Sequence, residues 1–581
     1  MKFIFFFYLC LLLTTAQARA ATWKVPVLFW SMKIEGQVAM RKGFEEEIAK
    51  FNSSGKDEIH IQAFVAGEGR KGVLNQISQL ERTLQSNPPA LVIQPTDNSA
   101  LALGLQEANR KKIPVITYDQ YIVNGSILSY VTSDNYQAGW DNGIYINSLF
   151  DAKKNLRIVV FEYPRVSSTT ERVDGFFDAL RKQDRRFTVL KTYEAVDPTS
   201  GAIAVKNFLK DFPAKGSVDL ILTVNDGGGI TIVKQLVAKS RTEIVHATFD
   251  GDPASVQNIQ EKKLTVIDSA QFCAELGRET ARSLIAHLKK MPTESKKLIP
   301  TFPVTSKSLA QYPGWMGVPT TQRKTEPAPK RRLAPLRRSE TERLIIKIGV
   351  PPLCPYLCEQ GPGKWGGYLF DILQDIANKN NFTLQIESIV QSRQIPSLQM
   401  HRVNYIIVPA DMVRYLSQIR LVGPSLGVMF VGALVPQENK ETLIDEEYIS
   451  KKRLVLSGVA GDGTEGIFDH VNTPRVTKLT GADAPDRMVK MIYDRRVDLA
   501  LGDYNVLSYS LLKKAEANLQ LLPTSLTGFN SIVLVSKPKD SDYGGLPQYL
   551  NDWFIDARKS GQLEKILNRY NLKDWQLFLR D

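Results

Sequence analysis

The segment from Leu91 to Gln120 constrains the fold of this 581-residue chain more than any other stretch. A short apolar run at Leu91–Ile93 ends in polar turn residues, and an amphipathic pattern of helical period follows from Ser99 to Lys111. A second apolar run, Pro114–Tyr118, ends at Asp119. Two strand-length runs around one helix are typical of a βαβ unit, so the sequence predicts parallel strands in an open α/β sheet.

The same alternation of strand and helix continues from Thr22 to about Val318. Strands are predicted at Val25–Phe29, Ile59–Phe64, Leu91–Ile93, Val115–Tyr118, Arg157–Phe161, Thr188–Ala195, Leu220–Val224, Ile244–Phe249 and Leu264–Ala270. Helical patterns lie between most of them. A run of this length exceeds one sheet, so we expect two doubly wound lobes with a cleft between them.

The N-terminus has the pattern of a targeting segment. Lys2 precedes an apolar run, Phe3–Leu13, which is too short to span a bilayer, and Ala18–Ala20 has the small-x-small form of a cleavage site. We therefore expect a signal peptide at residues 1–20 and a mature chain in the periplasm. Cys10 lies inside the apolar run rather than at the cleavage point, which argues against a lipid anchor. We expect the mature chain to be soluble and monomeric.

A basic, proline-rich stretch divides the mature chain. The net charge is +13, and much of it lies between Gln322 and Arg343. Such runs are usually solvated linkers, and a signal peptide excludes nuclear targeting, so we expect no nucleic-acid partner. Attraction to anionic lipid head groups is a secondary alternative. The predicted divisions are a first module at residues 22–318, a linker at 319–343 and a second module at 344–581.

The second module predicts another α/β fold with a different order of elements. Strands are expected at Leu344–Val350, Tyr405–Val408, Arg453–Leu456, Leu499–Leu501 and Ser531–Val535, and helices at Gly367–Lys379, Leu546–Ser560 and Gln562–Asn571. Because the two orders differ, the sequence argues against an internal duplication.

Three cysteines remain after export. Cys354 and Cys358 bracket the pentapeptide C-P-Y-L-C. In an oxidising compartment, and without an accompanying His cluster, a short-loop disulfide is favoured over metal binding. Cys273 is predicted to be a lone, partly buried thiol. We expect neither a metal nor a cofactor.

Polar residues recur where the predicted strands of the first module end, which is where open α/β sheets carry functional groups. They are Asp119, Arg172, Asn225, Asp250 and Gln271. A single Asp or Asn after a strand usually caps a helix. A guanidinium, two carboxylates and two amides together form a set of donors and acceptors suited to vicinal hydroxyls.

From Val25 to about Pro303 the chain resembles the type I, ribose-type periplasmic sugar-binding proteins. Matching stretches are P-T-D before the helix at Ser99, then S-D-N, R-V-D-G-F, T-V-N-D, F-D-G-D-P and A-Q-F. The resemblance implies that the five residues above hold a sugar. It also implies hinge crossings near Ser133, near Gln271–Phe272 and near Pro300.

Two departures from that family affect the predicted ligand. Gln120 stands where the family has an arginine after its aspartate, and F-W-S-M-K-I-E-G-Q replaces the family's N-P-F-F-type motif. Trp30 is then the candidate ring for stacking on a sugar, with a purely structural role as the alternative. We expect a modified sugar or another polyol-like ligand.

From Leu344 to the C-terminus the chain resembles, more loosely, the type II solute-binding proteins of the polar amino-acid group. The stretches are P-P-L-C-P-Y-L-C, G-G-Y-L-F-D-I-L, A-D-M-V-R-Y-L-S-Q-I-R-L-V-G-P-S, G-D-G-T-E-G-I-F and R-R-V-D-L-A-L-G-D-Y. The resemblance implies that Arg414 and Thr464 bind an α-carboxylate and that Asp503 binds an α-ammonium. Asp411 replaces a family threonine and could pair with Arg414. A surface ion pair at Arg414 and a simple cap at Thr464 are the alternatives.

These features predict an exported, non-enzymatic tandem binding protein with a sugar-like and an amino-acid-like or carboxylate ligand. Its partner would be an inner-membrane ABC permease or a sensor, and the fusion of two modules slightly favours signalling. The alternative is a dehydratase-like enzyme of the type II fold with a regulatory sugar module, with Glu465 as a candidate acid. The chain has no G-x-S-x-G, H-E-x-x-H or Walker motif to support an enzyme. A sugar-repressor-type regulator is opposed by the signal peptide and the missing helix-turn-helix.

Overall fold

A computed structural model describes residues 20–319, 344–361, 363–459, 465–468, 471–514, 518–528 and 530–575. The expected signal peptide up to residue 19, residues 320–343 of the expected linker, and Thr464 lie outside the described residues.

In the first half, strands and helices alternate almost throughout. The elements are β1 Thr22–Phe29, α1 Glu35–Ser54, β2 Glu58–Val65, α2 Gly69–Gln85, β3 Leu91–Ile93, α3 Ala102–Arg110, β4 Val115–Tyr118, β5 Ser129–Ser133, α4 Asn135–Leu149, β6 Leu156–Glu162, α5 Ser167–Lys182, β7 Phe187–Glu194, α6 Pro198–Asp211, β8 Leu220–Thr223, α7 Asp226–Ala238, β9 Val245–Asp250, α8 Pro253–Gln260, β10 Thr265–Ala270, α9 Cys273–Leu288, β11 Lys296–Ile299 and β12 Phe302–Thr305.

These strands form two six-stranded sheets. Lobe A contains the sheet of order β11-β5-β4-β3-β1-β2, in which every neighbouring pair is parallel. Lobe B contains the order β12-β10-β9-β8-β6-β7, with β12 alone running antiparallel to its neighbour. The two doubly wound lobes predicted from the sequence are confirmed.

The chain crosses between lobes A and B three times. It leaves lobe A after β5, which ends at Ser133, and returns between β10 and α9, where α9 packs on α1. The last crossing lies between β11 and β12, at Pro300 and Thr301. All three crossings are where the family resemblance implies hinges.

The predicted strands of the first half all correspond to observed ones within a residue or two, except at the N-terminus, where β1 begins three residues earlier. Three observed strands, β5, β11 and β12, are not predicted from the sequence. Their sequences, S-Y-V-T-S, K-K-L-I and F-P-V-T, are short and rich in polar residues or proline, so they lack the apolar run on which the prediction rests.

The second half also has two lobes. Its elements are β13 Leu344–Val350, β14 Cys358–Gly361, β15 Lys364–Gly366, α10 Tyr368–Lys379, β16 Phe382–Ser388, α11 Gln391–Gln399, β17 Tyr405–Pro409, β18 Arg420–Met429, β19 Val431–Pro436, α12 Glu446–Lys452, β20 Leu456–Val459, α13 Glu465–Phe468, β21 Val476–Leu479, α14 Ala484–Tyr493, β22 Leu499–Asp503, α15 Tyr504–Lys514, β23 Leu519–Pro523, β24 Asn530–Ser536, α16 Leu546–Ser560 and α17 Gln562–Asn568. Lobe C holds the sheet β16-β13-β17-β24-β18, and lobe D holds β21-β20-β22-β19-β23.

One predicted strand of the second half is wrong. The strand expected at Arg453–Leu456 begins only at Leu456, because Arg453 ends helix α12 in a left-handed conformation with φ of 51°. A residue in that conformation terminates a helix and cannot continue as a strand.

Helices α4 and α5 of lobe B cross at glycines that place their backbones in contact. A Cβ added at Gly139 would lie 2.0 Å from the carbonyl oxygen of Arg172, and one at Gly175 would lie 2.0 Å from that of Tyr136. Backbone atoms cannot move aside as a flexible side chain can. This crossing therefore fixes the backbone position of Arg172.

We expect Gly175→Ala to lower the free energy of unfolding by about 1–3 kcal/mol, because the methyl group forces the two helices apart. The measurement is chemical denaturation. Gly55→Ala is the matched control, since its nearest neighbouring atom is 3.9 Å away, and it should leave stability almost unchanged. Equal effects of the two substitutions would contradict the close crossing.

Candidate functional site

One cavity between lobes A and B brings together all the first-module residues that the sequence predicts. Its volume is about 40 Å³. The predicted residues that line it are Trp30, Asp119, Gln120, Arg172, Asn225, Asp250 and Gln271. Because Trp30, Asp119 and Gln120 come from lobe A and the rest from lobe B or the crossing between lobes, the cavity depends on both lobes.

Asp119 directly follows β4 and is held by its backbone and its carboxylate. Its φ of 62° is left-handed, and its carbonyl oxygen accepts hydrogen bonds from Thr132 at 3.1 Å and Tyr130 at 3.3 Å. Gln94 donates to its carboxylate at 3.1 Å. These contacts turn the Asp119 side chain into the cavity.

Arg172, Asp250 and Gln271 form a buried network on the opposite wall. The Arg172 guanidinium lies 2.9 Å from the Asp250 carboxylate and donates to Asn135 at 3.0 Å. Gln271 donates to the same carboxylate oxygen of Asp250 at 2.7 Å and accepts a hydrogen bond from Ser133 at 2.7 Å. Charge-assisted bonds of this kind fix donor and acceptor directions that a polyol can use.

Hydrogen bonds beside the cavity join lobes A and B to each other. Gln120 of lobe A donates to the Ser168 hydroxyl at 2.7 Å and accepts from the Ser167 hydroxyl and the Ser168 N–H at 3.1 Å each. The Asn98 side chain of lobe A accepts a hydrogen bond from the N–H of Ser167 at 3.1 Å. The backbone N–H of Asn98 donates to the carbonyl of Arg165 at 3.2 Å. Gln120, which departs from the family pattern, therefore joins the two lobes directly.

Trp30 and Asn225 have structural partners as well as a place in the cavity wall. The Trp30 ring is 5% exposed and lies 6.3 Å from the Tyr163 ring of lobe B, with the planes tilted by 35°. The Asn225 side chain caps α7 by accepting the N–H of Gly228 at 3.1 Å, and it donates to the carbonyl of Val196 at 2.8 Å. Asn225 therefore caps α7, as the capping alternative for this residue predicts.

The sequence analysis missed two residues that organise the site. Gln94 directly follows β3, accepts the N–H of Trp30 at 3.2 Å and donates to Asp119. Ser168 lines the cavity at the start of α5 and bonds Gln120. The strand-end rule that selected Asp119 could have found Gln94, whereas Ser168 depends on a contact between lobes that no local pattern indicates.

Burial alters the charge balance of the two cavity carboxylates. It raises the pKa of Asp119, and the hydrogen bond from Gln94 and the charge of Arg172 oppose that rise. Burial likewise raises the pKa of Asp250, against the opposing effect of Arg172. Both groups thus protonate at a higher pH than an ordinary aspartate.

In the second half, the predicted ligand residues have partners within the chain. Arg414 is buried and pairs with Asp174 of lobe B at 2.7 Å. Asp503 accepts hydrogen bonds from the Tyr356 hydroxyl and the Val506 N–H at 2.9 Å each. The two side chains therefore have different partners, and the third predicted residue, Thr464, lies outside the described residues.

The predicted disulfide residues, Cys354 and Cys358, are bonded to each other, and Cys273 is a buried free thiol that lines the cavity of the first half. Among the described residues no group of three or more His, Cys, Asp or Glu side chains is arranged to hold a metal ion. Across the same ranges, no helix has the length and apolar character that crossing a membrane requires.

Comparison with known proteins relates the first half to a described family. Residues 25–291 match the family described as periplasmic binding protein domain. The chain is 27% identical over 265 residues to the ribose import binding protein of Bacillus subtilis (strain 168), which covers 45% of this chain and 81% of that protein. It is 28% identical over 248 residues to the ribose import binding protein of Haemophilus influenzae, covering 41% of this chain and 82% of that protein.

A solved ABC sugar transporter subunit from Rhodobacter sphaeroides is 20% identical, with a TM-score of 0.44, and covers 49% of this chain and 98% of that one. On the family match, residues 25–291 form a type I periplasmic binding protein domain. That match ends before the linker and does not extend to the second half.

The raised pKa values of Asp119 and Asp250 predict that ligand affinity decreases as the pH is lowered. Ionised carboxylates accept stronger hydrogen bonds from hydroxyls than protonated ones, so protonation weakens binding. We expect the affinity for a polyol ligand to fall as the pH is lowered, beginning above the ordinary aspartate pKa of about 3.9. Calorimetric titrations at neutral and acidic pH measure it.

The same raised pKa values have the opposite effect on the stability of the ligand-free fold, which they favour at low pH. A carboxyl with a raised pKa in the folded chain stabilises the fold below its unfolded pKa, and that contribution is lost as the pH rises through the folded value. The variant Asp119→Asn plus Asp250→Asn should bind more weakly, and its affinity should vary less with pH than that of the unaltered chain. An affinity that is constant over the range in the unaltered chain would contradict the raised pKa values.

Proposed function

We propose that the first half binds a sugar or a closely related polyol in the cleft between lobes A and B. One observation carries the proposal: carboxylates, a guanidinium, amides and an indole ring from both lobes line a single buried cavity. This chemistry matches alternating hydroxyl groups and the apolar face of a sugar ring. The similarity to proteins named for ribose import supports it.

Binding couples to closure of the lobes. The cavity volume of about 40 Å³ is well below the roughly 300 Å³ at which small-molecule pockets begin, so a ligand enters as the lobes separate. Its hydroxyls then replace hydrogen bonds that Gln120, Asp250 and Gln271 now make to protein partners. Because the ligand contacts both lobes only when they are closed, it favours the closed state by its differential affinity.

The proposed setting is the periplasm, with a membrane protein as the recipient. The expected signal peptide and the periplasmic binding protein family of residues 25–291 support this location. The related proteins are named for import, which supports an ABC-type permease as partner. The second half, which such a role does not need, supports a sensor protein as the other candidate.

For the second half, the proposal remains an amino-acid-like or carboxylate ligand at Arg414, Thr464 and Asp503. The Arg414–Asp174 pair limits it, because a ligand carboxylate has to displace the Asp174 carboxylate. Asp503 is likewise engaged by Tyr356, whose hydroxyl stands where an ammonium would donate. A ligand at Arg414 therefore competes with a contact between the two halves, and a ligand at Asp503 competes with a contact within the second half.

We expect a thermal shift when the mature chain is mixed with a pentose, a hexose or a related polyol, and we expect Asp119→Ala plus Asp250→Ala to remove it. Loss of both carboxylates takes away charge-assisted acceptors on both walls. Asp552→Ala plus Asp556→Ala, both exposed on α16, is the control and should keep the shift. A shift that survives the first pair means that the site is elsewhere.

The carboxylate proposal for the second half predicts opposite effects of two substitutions. Asp174→Asn frees Arg414 from a charged competitor and should strengthen binding of an amino acid from a panel of the twenty common ones. Arg414→Ala should abolish that binding. Calorimetric titration of the mature chain distinguishes the outcomes, and an affinity that neither substitution changes excludes Arg414 as the carboxylate ligand.

A further inference from the structure

A second, larger cavity adjoins the sugar cavity. Its volume is about 310 Å³, and we call it the outer chamber. Trp30, Ile34 and Val196 line both spaces, so the indole ring lies where the two meet. The remaining wall in the first half includes Tyr163, Arg165 and residues of α2 and α6. The outer chamber therefore lies at the mouth of the cleft between lobes A and B.

The second half supplies part of the wall of the outer chamber. Leu443, Asp445 and Ser525 of lobe D line it. Asp445 accepts a hydrogen bond from Arg70 of lobe A at 2.5 Å, and the Ser525 hydroxyl donates to Asp97 of lobe A at 2.5 Å. A first module without a second half lacks this wall, so the chamber belongs to the tandem arrangement.

The lining of the outer chamber has the chemistry of a carbohydrate site. Trp30 and Tyr163 offer two rings, 6.3 Å apart between centroids, that suit an apolar sugar face. Carboxylates and guanidinium groups that suit hydroxyls surround them: Glu68, Arg70, Arg165, Glu194, Asp197 and Asp445.

The charges of that lining also limit the class of ligand that can bind there. The lining has four carboxylates and two guanidinium groups, and Arg70 and Arg165 pair with carboxylates, namely Asp445 and Glu446. An excess of negative charge opposes a phosphorylated or otherwise anionic group. An uncharged polyhydroxyl group meets no such penalty.

We propose that the chain binds a saccharide of two units, a disaccharide or glycoside, with its inner ring in the sugar cavity and its uncharged outer unit in the outer chamber. The inference deepens the proposed function and rests on it, since the inner ring occupies the same cavity. The outer unit contacts lobe D through Asp445 and Ser525. The second half thereby contributes to the binding site of the first half.

Ile203 allows the outer chamber to be altered separately from the sugar cavity. It lines only the chamber, lies on α6 and is 60% exposed, so a larger side chain there does not disturb the core. Ile203→Trp fills part of the chamber. Ile555→Trp, at an isoleucine that is 52% exposed on α16 of lobe C, is the matched control.

The experiment titrates the mature full chain with D-ribose, D-glucose and D-galactose and with trehalose, cellobiose and melibiose. We expect one disaccharide to bind at least about tenfold more tightly than its own monosaccharide. Ile203→Trp should remove that advantage and leave the monosaccharide affinity within about twofold, while Ile555→Trp changes neither. A thermal melt of each variant establishes that it is folded.

The results distinguish a failure of this inference from a failure of the proposed function. If monosaccharides bind and every disaccharide binds equally or more weakly, the outer chamber is not a saccharide subsite, and the proposed function stands. An Ile203→Trp effect of equal size on both kinds of ligand overturns the inference in the same way. If no sugar of either size binds, the proposed function itself fails.

Discussion

Two adjacent acidic residues of lobe D hold one arginine from each lobe of the first half, and the shape of the cleft depends on this contact. Asp445 binds Arg70 of lobe A at 2.5 Å, and Glu446 binds Arg165 of lobe B at 3.2 Å. Neighbouring Cα atoms are about 3.8 Å apart, so both pairs form only when the two arginines lie close together. In this position, the second half therefore fits a first half whose lobes A and B are closed on each other.

Other contacts extend this arrangement to lobe C. Arg414 and Tyr415 of lobe C contact Asp174 and Glu162 of lobe B at 2.7 Å each, and the Tyr415 ring meets Phe177 edge-on at 5.2 Å. Lobe C is thus attached to lobe B, and lobe D reaches both lobes A and B. Opening the cleft of the first half breaks the lobe D contacts or moves lobe D relative to lobe C.

Much of the first site could be predicted because the relevant signals are local. Asp119 and Asp250 each stand at the carboxyl end of a parallel strand, and their positions follow once the strand is recognised. The role of Arg414 could not be predicted this way. Its partner, Asp174, lies 240 residues earlier in the chain, in a helix of the other half, and nothing in either local sequence indicates the pairing.

The same distinction explains the smaller errors. The place of Asn225 after β8 predicts a ligand residue, and its bonds as a cap of α7 arise from that same place, so one pattern supports two roles. The apolar run after Arg453 predicts a strand that includes it, but its left-handed φ ends α12 there. Contacts within one element are predictable from sequence, and contacts between lobes require the fold.

The central claim is that a sugar lies between lobes A and B, enclosed with the help of the second half. A crystal structure of the mature chain with a saturating sugar tests it most directly. We expect a ring beside Trp30 with hydroxyls within hydrogen-bond distance of Asp119, Arg172 and Asp250, and lobe D still bound to Arg70 and Arg165. A sugar found elsewhere, or a sugar-bound cleft from which lobe D has detached, would contradict it.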